Sequence, residues 1–218
     1  MEVDHLFICV TNPIQSAAAL SALGLIEGTP NVHPGQGTAN RRFFFQNTFI
    51  ELLYLTDAQE AQSPLTAPTQ LFERLSATDS QVSPFGVCFR PTTANEALPF
   101  PAWEYRPAYL PASLKVDVGR APVSEPMWFF LSFAKRPDQM PPERAQPIEH
   151  ANGFRQITAV RVTTASGEAF SATASCANQL SEFEIIQGNE HLMELEIDHG
   201  VQGQTRDLRP GLPLVMNW

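Results

Sequence analysis

The order of strand-like and helix-like segments predicts an α+β fold assembled from repeated units. A β segment, an Ala-rich helix and a run of further β segments follow one another from Val3. A similar order restarts at Phe85 and, shortened, at Ile157. No residue repeat accompanies it, so the order of elements is the evidence for repetition. The expected organisation is a first βαβββ unit over 1–57, a connecting helical segment over 58–83 and a second unit over 84–135. A proline-rich linker over 136–149, a third partial unit over 150–200 and a tail over 201–218 complete it.

Val3 to Val10 reads as a strand, and Asn12-Pro13 supplies a helix cap followed by proline at the first helical position. Gly24 ends that helix. Glu27 to Asn40 carries glycines and prolines and reads as a loop. Arg42 to Phe45 and Phe49 to Leu55 read as two strands joined by a hairpin-length break. Leu71, Phe72 and Leu75 have helical spacing. Phe85 to Phe89 is again strand-like, and Thr93 with Glu96 forms a capping box for a short helix through Leu98. Trp103 to Tyr109, Leu114 to Val118 and Met127 to Phe133 are the next β candidates. Beyond the linker, Ile157 to Thr163 reads as a strand and Gly167 to Leu180 as a helix. Phe183 to Gln187 and His191 to Ile197 flank Gly188-Asn189 as a hairpin.

Composition narrows the partners. A net charge of −9 and no basic cluster longer than Arg41-Arg42 argue against nucleic acid and anionic membrane, leaving small-molecule or protein partners, a homodimer among them. The first residues, MEVDHLF, carry no basic leader and no apolar run reaches the length of a spanning helix, so a cytoplasmic protein is expected. Cys9, Cys88 and Cys176 are odd in number and widely spaced, against a disulfide framework.

The residue that most needs explaining is Glu51, a carboxylate between Ile50 and Leu52-Leu53 in the most apolar strand. Burying such a group costs several kcal/mol unless it is paired, protonated or bound to a metal. His5, in the first strand, is the nearest candidate partner. The bland alternatives are a core histidine satisfied by backbone and a structural ion pair of Glu51 with Arg42 or Arg90. His33, Gln36, Thr38 and Asn40 are either a polar surface loop or a ligand-binding loop whose glycines let backbone N–H groups approach an anion. His150 and Asn152 read as a turn first and as cleft lining second, and Trp128-Phe129-Phe130 as core first and pocket wall second.

Asp4-His5-Leu6, Leu23-Gly24-Leu25, His33-Pro34-Gly35-Gln36-Gly37-Thr38, Glu51-Leu52-Leu53 and His150-Ala151-Asn152-Gly153 together resemble the glyoxalase-like proteins of the vicinal oxygen chelate superfamily. That group includes glyoxalases, bleomycin resistance proteins and extradiol dioxygenases. The resemblance implies tandem βαβββ units curled into one cleft-bearing mixed sheet. It also implies a divalent metal held by the first and last strands of each unit. His5 and Glu51 take those places in the first unit; Phe85 to Phe89 and Met127 to Phe133 offer no imidazole or carboxylate in the second. The metal site is therefore expected to be incomplete, with any divalent ion weakly bound and no cofactor certain. The implied function is a lyase, isomerase or hydrolase acting on a small carbonyl or carboxylate compound. Glu51 and His5 would be catalytic, with His33, Gln36, Thr38, Asn40, Arg42 and Arg90 binding the ligand. The alternative is a non-catalytic protein that sequesters a small molecule.

Overall fold

A computed structural model describes residues 1–78, 80–93 and 96–218. The first unit comprises β1 (Glu2–Cys9), α1 (Pro13–Ala22), β2 (Asn31–His33), β3 (Thr38–Phe44) and β4 (Phe49–Leu55). Asn12 caps α1 by accepting from the Gln15 N–H at 3.1 Å, and Gly24 ends it at φ +91°. Two helices, α2 (Ala58–Ala61) and α3 (Leu71–Ser76), connect to the second unit of β5 (Phe85–Arg90), β6 (Ala102–Tyr105), β7 (Val116–Gly119) and β8 (Met127–Phe130). All eight strands form one sheet in the order β2-β3-β4-β1-β5-β8-β7-β6. The halves are topological copies: β1 lies parallel to β4 as β5 lies parallel to β8, and β1 meets β5 antiparallel at the centre. The sheet curls into a half-barrel.

Strand alternation decides what each face does. Leu6, Ile8, Ile50, Leu52, Val87, Phe89, Trp128 and Phe130 turn to one face. There they pack with α1 and with a second sheet built from β9 (Ile157–Thr164), α4 (Ala172–Ala177), β10 (Phe183–Gln187), β11 (Leu192–Ile197), β12 (Thr205–Asp207) and β13 (Leu214–Asn217). Phe7, Leu53, Cys88, Met127 and Phe129 turn to the opposite, concave face, where Leu71 and Leu75 of α3 join them. The main core thus lies between the two sheets, and the concave face is left for a cavity.

Several expectations change on the structure. The Glu27 to Asn40 stretch is not all loop, because Asn31–His33 pairs with Thr38–Asn40 across a tight turn. Glu96 to Pro99 is irregular, and residues 94 and 95 of the helix expected from Thr93 lie outside the described residues. Phe183 to Gln187 and His191 to Ile197 do not form a hairpin: β10 and β11 flank β9 on opposite sides, parallel and antiparallel. The expected tail supplies β12 and β13. The five-stranded order β10-β9-β11-β13-β12 repeats the parallel, antiparallel, parallel pairing of β4-β1-β5-β8, so the C-terminal region holds two reduced units in place of one. Sequence spacing hid this because β12 is three residues long and wholly exposed.

His150 and Asn152 are fasteners away from the cavity. Asn152 donates to Leu23 O at 2.6 Å and His150 Nδ1 accepts from Ile26 N–H at 3.0 Å, tying the C-terminal region to the end of α1. Among the described residues no helix is long and apolar enough to cross a membrane.

The central strand pair depends on the missing side chain of Gly86, where a Cβ would stand 2.0 Å from the Phe7 ring. Gly86→Ala should lower stability by about 1–3 kcal/mol through overpacking, read as a drop in the urea midpoint. An unchanged midpoint would show that β1 and β5 do not pack as described.

Candidate active site

The concave face encloses a cavity of about 310 Å³. Its polar wall comes from the first unit: Asp4 and His5 of β1, Asn31 and His33 of β2, Asn40 and Arg42 of β3, and Glu51 of β4, with Gln36 from the β2–β3 turn. Its apolar wall comes largely from the second unit and α3, with Val116, Met127, Phe129, Leu131 and Leu71. Tyr105 and Tyr109 close one end.

His5 faces the cavity by ordinary alternation with Phe7, and a β-bulge brings Asp4 to its side. Between Val3, opposite Phe89, and His5, opposite Cys88, one extra residue is inserted on β1, and that residue is Asp4. In a regular strand neighbouring side chains point to opposite faces; a bulge re-aims one of them. Asp4 Oδ2 therefore lies 2.7 Å from His5 Nδ1. Arg90, 1% exposed, anchors the bulge by donating to Asp4 Oδ1 at 2.9 Å, to Glu2 Oε1 at 2.9 Å and to Asn47 O at 2.6 Å. Thr48 donates its hydroxyl to Asp4 O at 2.9 Å. The imidazole stacks on Phe49 at 4.4 Å and meets the Phe129 edge at 5.3 Å, while Nδ1 faces Asp4 and Nε2 faces Glu51.

Glu51 sits on β4 between Phe49 and Leu53 on the cavity face, while Ile50 and Leu52 turn to the main core. Its Oε1 accepts from Asn40 Nδ2 at 2.7 Å, and its Oε2 lies 3.4 Å from His5 Nε2. Neither Arg42 nor Arg90 pairs with it. Arg42 stands opposite Glu51 in the strand register but donates to Thr29 O at 2.8 Å and lies over the Phe44 ring. The structural ion pair is thus not what compensates Glu51.

This geometry orients the His5 ring between two carboxylates. A carboxylate already gripped by a guanidinium can only accept, so His5 Nδ1 donates to Asp4 and its lone pair, in the neutral ring, is on Nε2. Nε2 and Glu51 would then be two acceptors 3.4 Å apart, a repulsive arrangement unless one carries a proton. Nε2 of His5 and Oε2 of Glu51 are close enough to exchange a proton, the geometry a general acid–base dyad requires.

The β2–β3 turn forms the neighbouring polar cluster. His33 Nδ1 and Gln36 Nε2 each lie 2.8 Å from Thr38 Oγ1, and Tyr105 and Tyr109 donate to Gln36 Oε1 at 3.1 and 3.4 Å. Burial is the main force pushing the His33 imidazole below its ordinary range, opposed by Glu51 and aided by Arg42 and His5. Burial likewise raises the Tyr109 phenol, so it stays a donor. The backbone N–H groups of Gly35 and Gly37 do not face a ligand: both donate to Glu60 Oε2, at 2.7 and 3.0 Å.

Of the residues singled out from sequence, His5, His33, Gln36, Asn40, Arg42 and Glu51 line one cavity; Thr38 supports it from behind, and Arg90 lies beneath it as the anchor of Asp4. Sequence reasoning missed Asp4 as a partner of His5, because strict alternation puts it on the other face. It missed Tyr105 and Tyr109, which reach the site only through the register of the second unit, and Arg144.

A divalent metal would draw donors from both halves of the sheet. The first half offers His5 Nε2 and Glu51; the second faces the cavity with Met127 and Phe129, and the register mates of His5 and Phe7 on β5 are Cys88 and Gly86. Asp4, His5 and Cys88 do bring donor atoms within 4.8 Å of one another. That cluster lies on the Nδ1 side, where Arg90 already balances Asp4, and burial, with Asp4 and Glu51 nearby, raises the Cys88 thiol well above its ordinary value. A protonated thiol beside a guanidinium is a poor cation site. The donors present do not fit a closed transition-metal site, which takes about four in fixed geometry.

Comparison with known proteins agrees with the fold. Residues 3–99 match the family model described as a glyoxalase-like domain. The crystal structure of a hypothetical protein from Staphylococcus aureus superposes with a TM-score of 0.56 at 10% identity, covering 99% of this chain and 98% of that one. No curated relative matches.

The Asp4–Arg90 pair is tested by removing one side. Arg90→Met strands Asp4 and should cost about 3–5 kcal/mol, measured by urea unfolding. Adding Asp4→Asn should recover part of the loss. Additive losses would mean the pair does not interact as described.

Proposed function

Taking as premise that residues 3–99 form a glyoxalase-like domain, we propose that the chain is an enzyme of lyase, isomerase or hydrolase type working by proton transfer on a small carbonyl- or carboxylate-bearing compound. The observation that carries this reading is Glu51: 6% exposed, facing a cavity and, among the described residues, without a cationic partner at ion-pair distance other than the His5 imidazole. A carboxylate held by the Asn40 amide, with His5 Nε2 3.4 Å away, is free to take a proton from substrate. In the reaction we infer, Glu51 removes a proton from a carbon next to a carbonyl or from a water molecule. From carbon, the C–H pair forms a C=C bond as the carbonyl pair moves onto its oxygen. From water, the water oxygen adds to the carbonyl carbon as that carbonyl pair moves onto the carbonyl oxygen. In both cases Glu51 or His5 Nε2 then returns a proton to a carbon or oxygen of the product. Arg42, across the strand register, offsets the negative charge that develops. His5 is fixed in one orientation by Asp4 and by Phe49, so it needs no reorganisation when the proton arrives.

The cavity is at the small end of ligand pockets, which run about 300–1,000 Å³, and its apolar wall supports a compound with a hydrocarbon body. A ligand of this kind is the partner we propose.

Glu51→Gln keeps shape and removes the base. Turnover of an identified substrate should fall on the order of 10²–10⁴-fold, while substrate affinity, read by calorimetry, changes little. Unchanged turnover would remove Glu51 from the chemistry. Tight binding with no turnover in either protein would favour the sequestering role.

A further inference from the structure

The proline-rich segment 136–149 is more than a connection between the sheets. It forms two short 3-10 turns, Pro137–Gln139 and Pro142–Arg144, and the second brings Arg144 into the lining of the active-site cavity. The strap is fixed at both ends: Asp138 N–H donates to Gln46 O at 3.1 Å, and Gln146 Oε1 accepts from Thr29 N–H at 2.9 Å. The same Thr29 peptide accepts, through its carbonyl, the Arg42 Nε–H at 2.8 Å. One residue, Thr29, therefore holds both Arg42 and the strap carrying Arg144. Four prolines, at 137, 141, 142 and 147, restrict the strap further, which lowers the entropy lost when a ligand is gripped.

Both guanidiniums lack a counter-ion. Among the described residues neither has a carboxylate within ion-pair distance, whereas Arg41, Arg90, Arg106, Arg136, Arg161 and Arg209 all do. In a chain of net charge −9, two unpaired arginines on one cavity are a local excess of positive charge. Burial lowers the Arg42 guanidinium, with Glu51 opposing, as expected for a cation awaiting a counter-ion.

We propose that the substrate is an organic carboxylate with an apolar body, its carboxylate bound by Arg42 and Arg144 and its hydrocarbon part against Phe129, Met127, Leu131 and Val116. Arginine suits the task because its planar fork matches a carboxylate in two parallel hydrogen bonds. The inference rests on the reading of Glu51 as the base: the carboxylate anchor would hold the reacting carbon against Oε2.

The test is a panel of monocarboxylates with branched-alkyl or phenyl bodies, such as 4-methylpentanoate and phenylacetate, each beside its uncharged primary amide. Affinity is measured by calorimetry on the full chain. At least one acid should bind roughly tenfold or more tighter than its amide. Arg42→Ala should abolish that preference, and Arg144→Glu, an exposed change that leaves the core intact, should cut it severalfold. Glu51→Gln should keep the preference or increase it, since it removes a negative charge from the cavity. If no acid outbinds its amide, or if Arg144→Glu leaves every preference unchanged, the proposal is overturned. An acid preference that survives in Glu51→Gln, together with undiminished turnover in that variant, would overturn the base instead and leave the anchor standing.

Discussion

The site depends on one irregularity, the bulge that places Asp4 and His5 on the same side of β1. Without it, Asp4 would point into the apolar layer between the sheets, and His5 would lack the partner that fixes its tautomer. The bulge survives in a buried strand because its polar groups are all satisfied: Arg90 and Thr48 take the Asp4 carboxylate and carbonyl, and Arg90 in turn bonds Glu2 and Asn47. An unpaired charge at this depth would cost several kcal/mol, so the arginine and the aspartate stabilise the fold only as a pair.

Two halves of similar topology have diverged in chemistry. β1, β3 and β4 offer imidazole, carboxylate and amide groups to the cavity, while β8 offers Met127 and Phe129. A sheet with two similar halves thus forms an asymmetric container, with a polar side and an apolar side. The aromatic side also positions the catalytic candidate, since the Phe129 edge and the Phe49 face confine the His5 ring. The main core owes nothing to the cavity: Leu6, Ile8, Ile50 and Leu52 pack against the second sheet from the opposite face of the same strands.

Much of this was legible from sequence because strand-like runs with clear punctuation give the order of elements. The duplicated architecture and the meeting of His5 with Glu51 both follow from that order. Four things were not legible. The bulge at Asp4 leaves no signature in a run that alternates normally on either side. The wrong hairpin at Gly188-Asn189 shows that a good turn dipeptide does not decide pairing when β9 offers both of its edges to other strands. Arg144 was unreadable as a site residue, since proline-rich composition describes stiffness and says nothing about where the strap lies. Arg90 was misplaced for a related reason: its strand position points toward the site, but its long side chain ends beneath the bulge.

The central claim is that Asp4 holds His5 in one tautomer, with the proton on Nδ1 and the Nε2 end facing Glu51. Nitrogen-15 NMR of the His5 ring in protein labelled at histidine reads this directly. The account predicts that Nδ1 is protonated throughout the pH range in which the protein is folded, and that Asp4→Asn changes the Nδ1 signal more than Glu51→Gln does. A neutral ring protonated on Nε2, with Nδ1 bare beside Asp4, would contradict it.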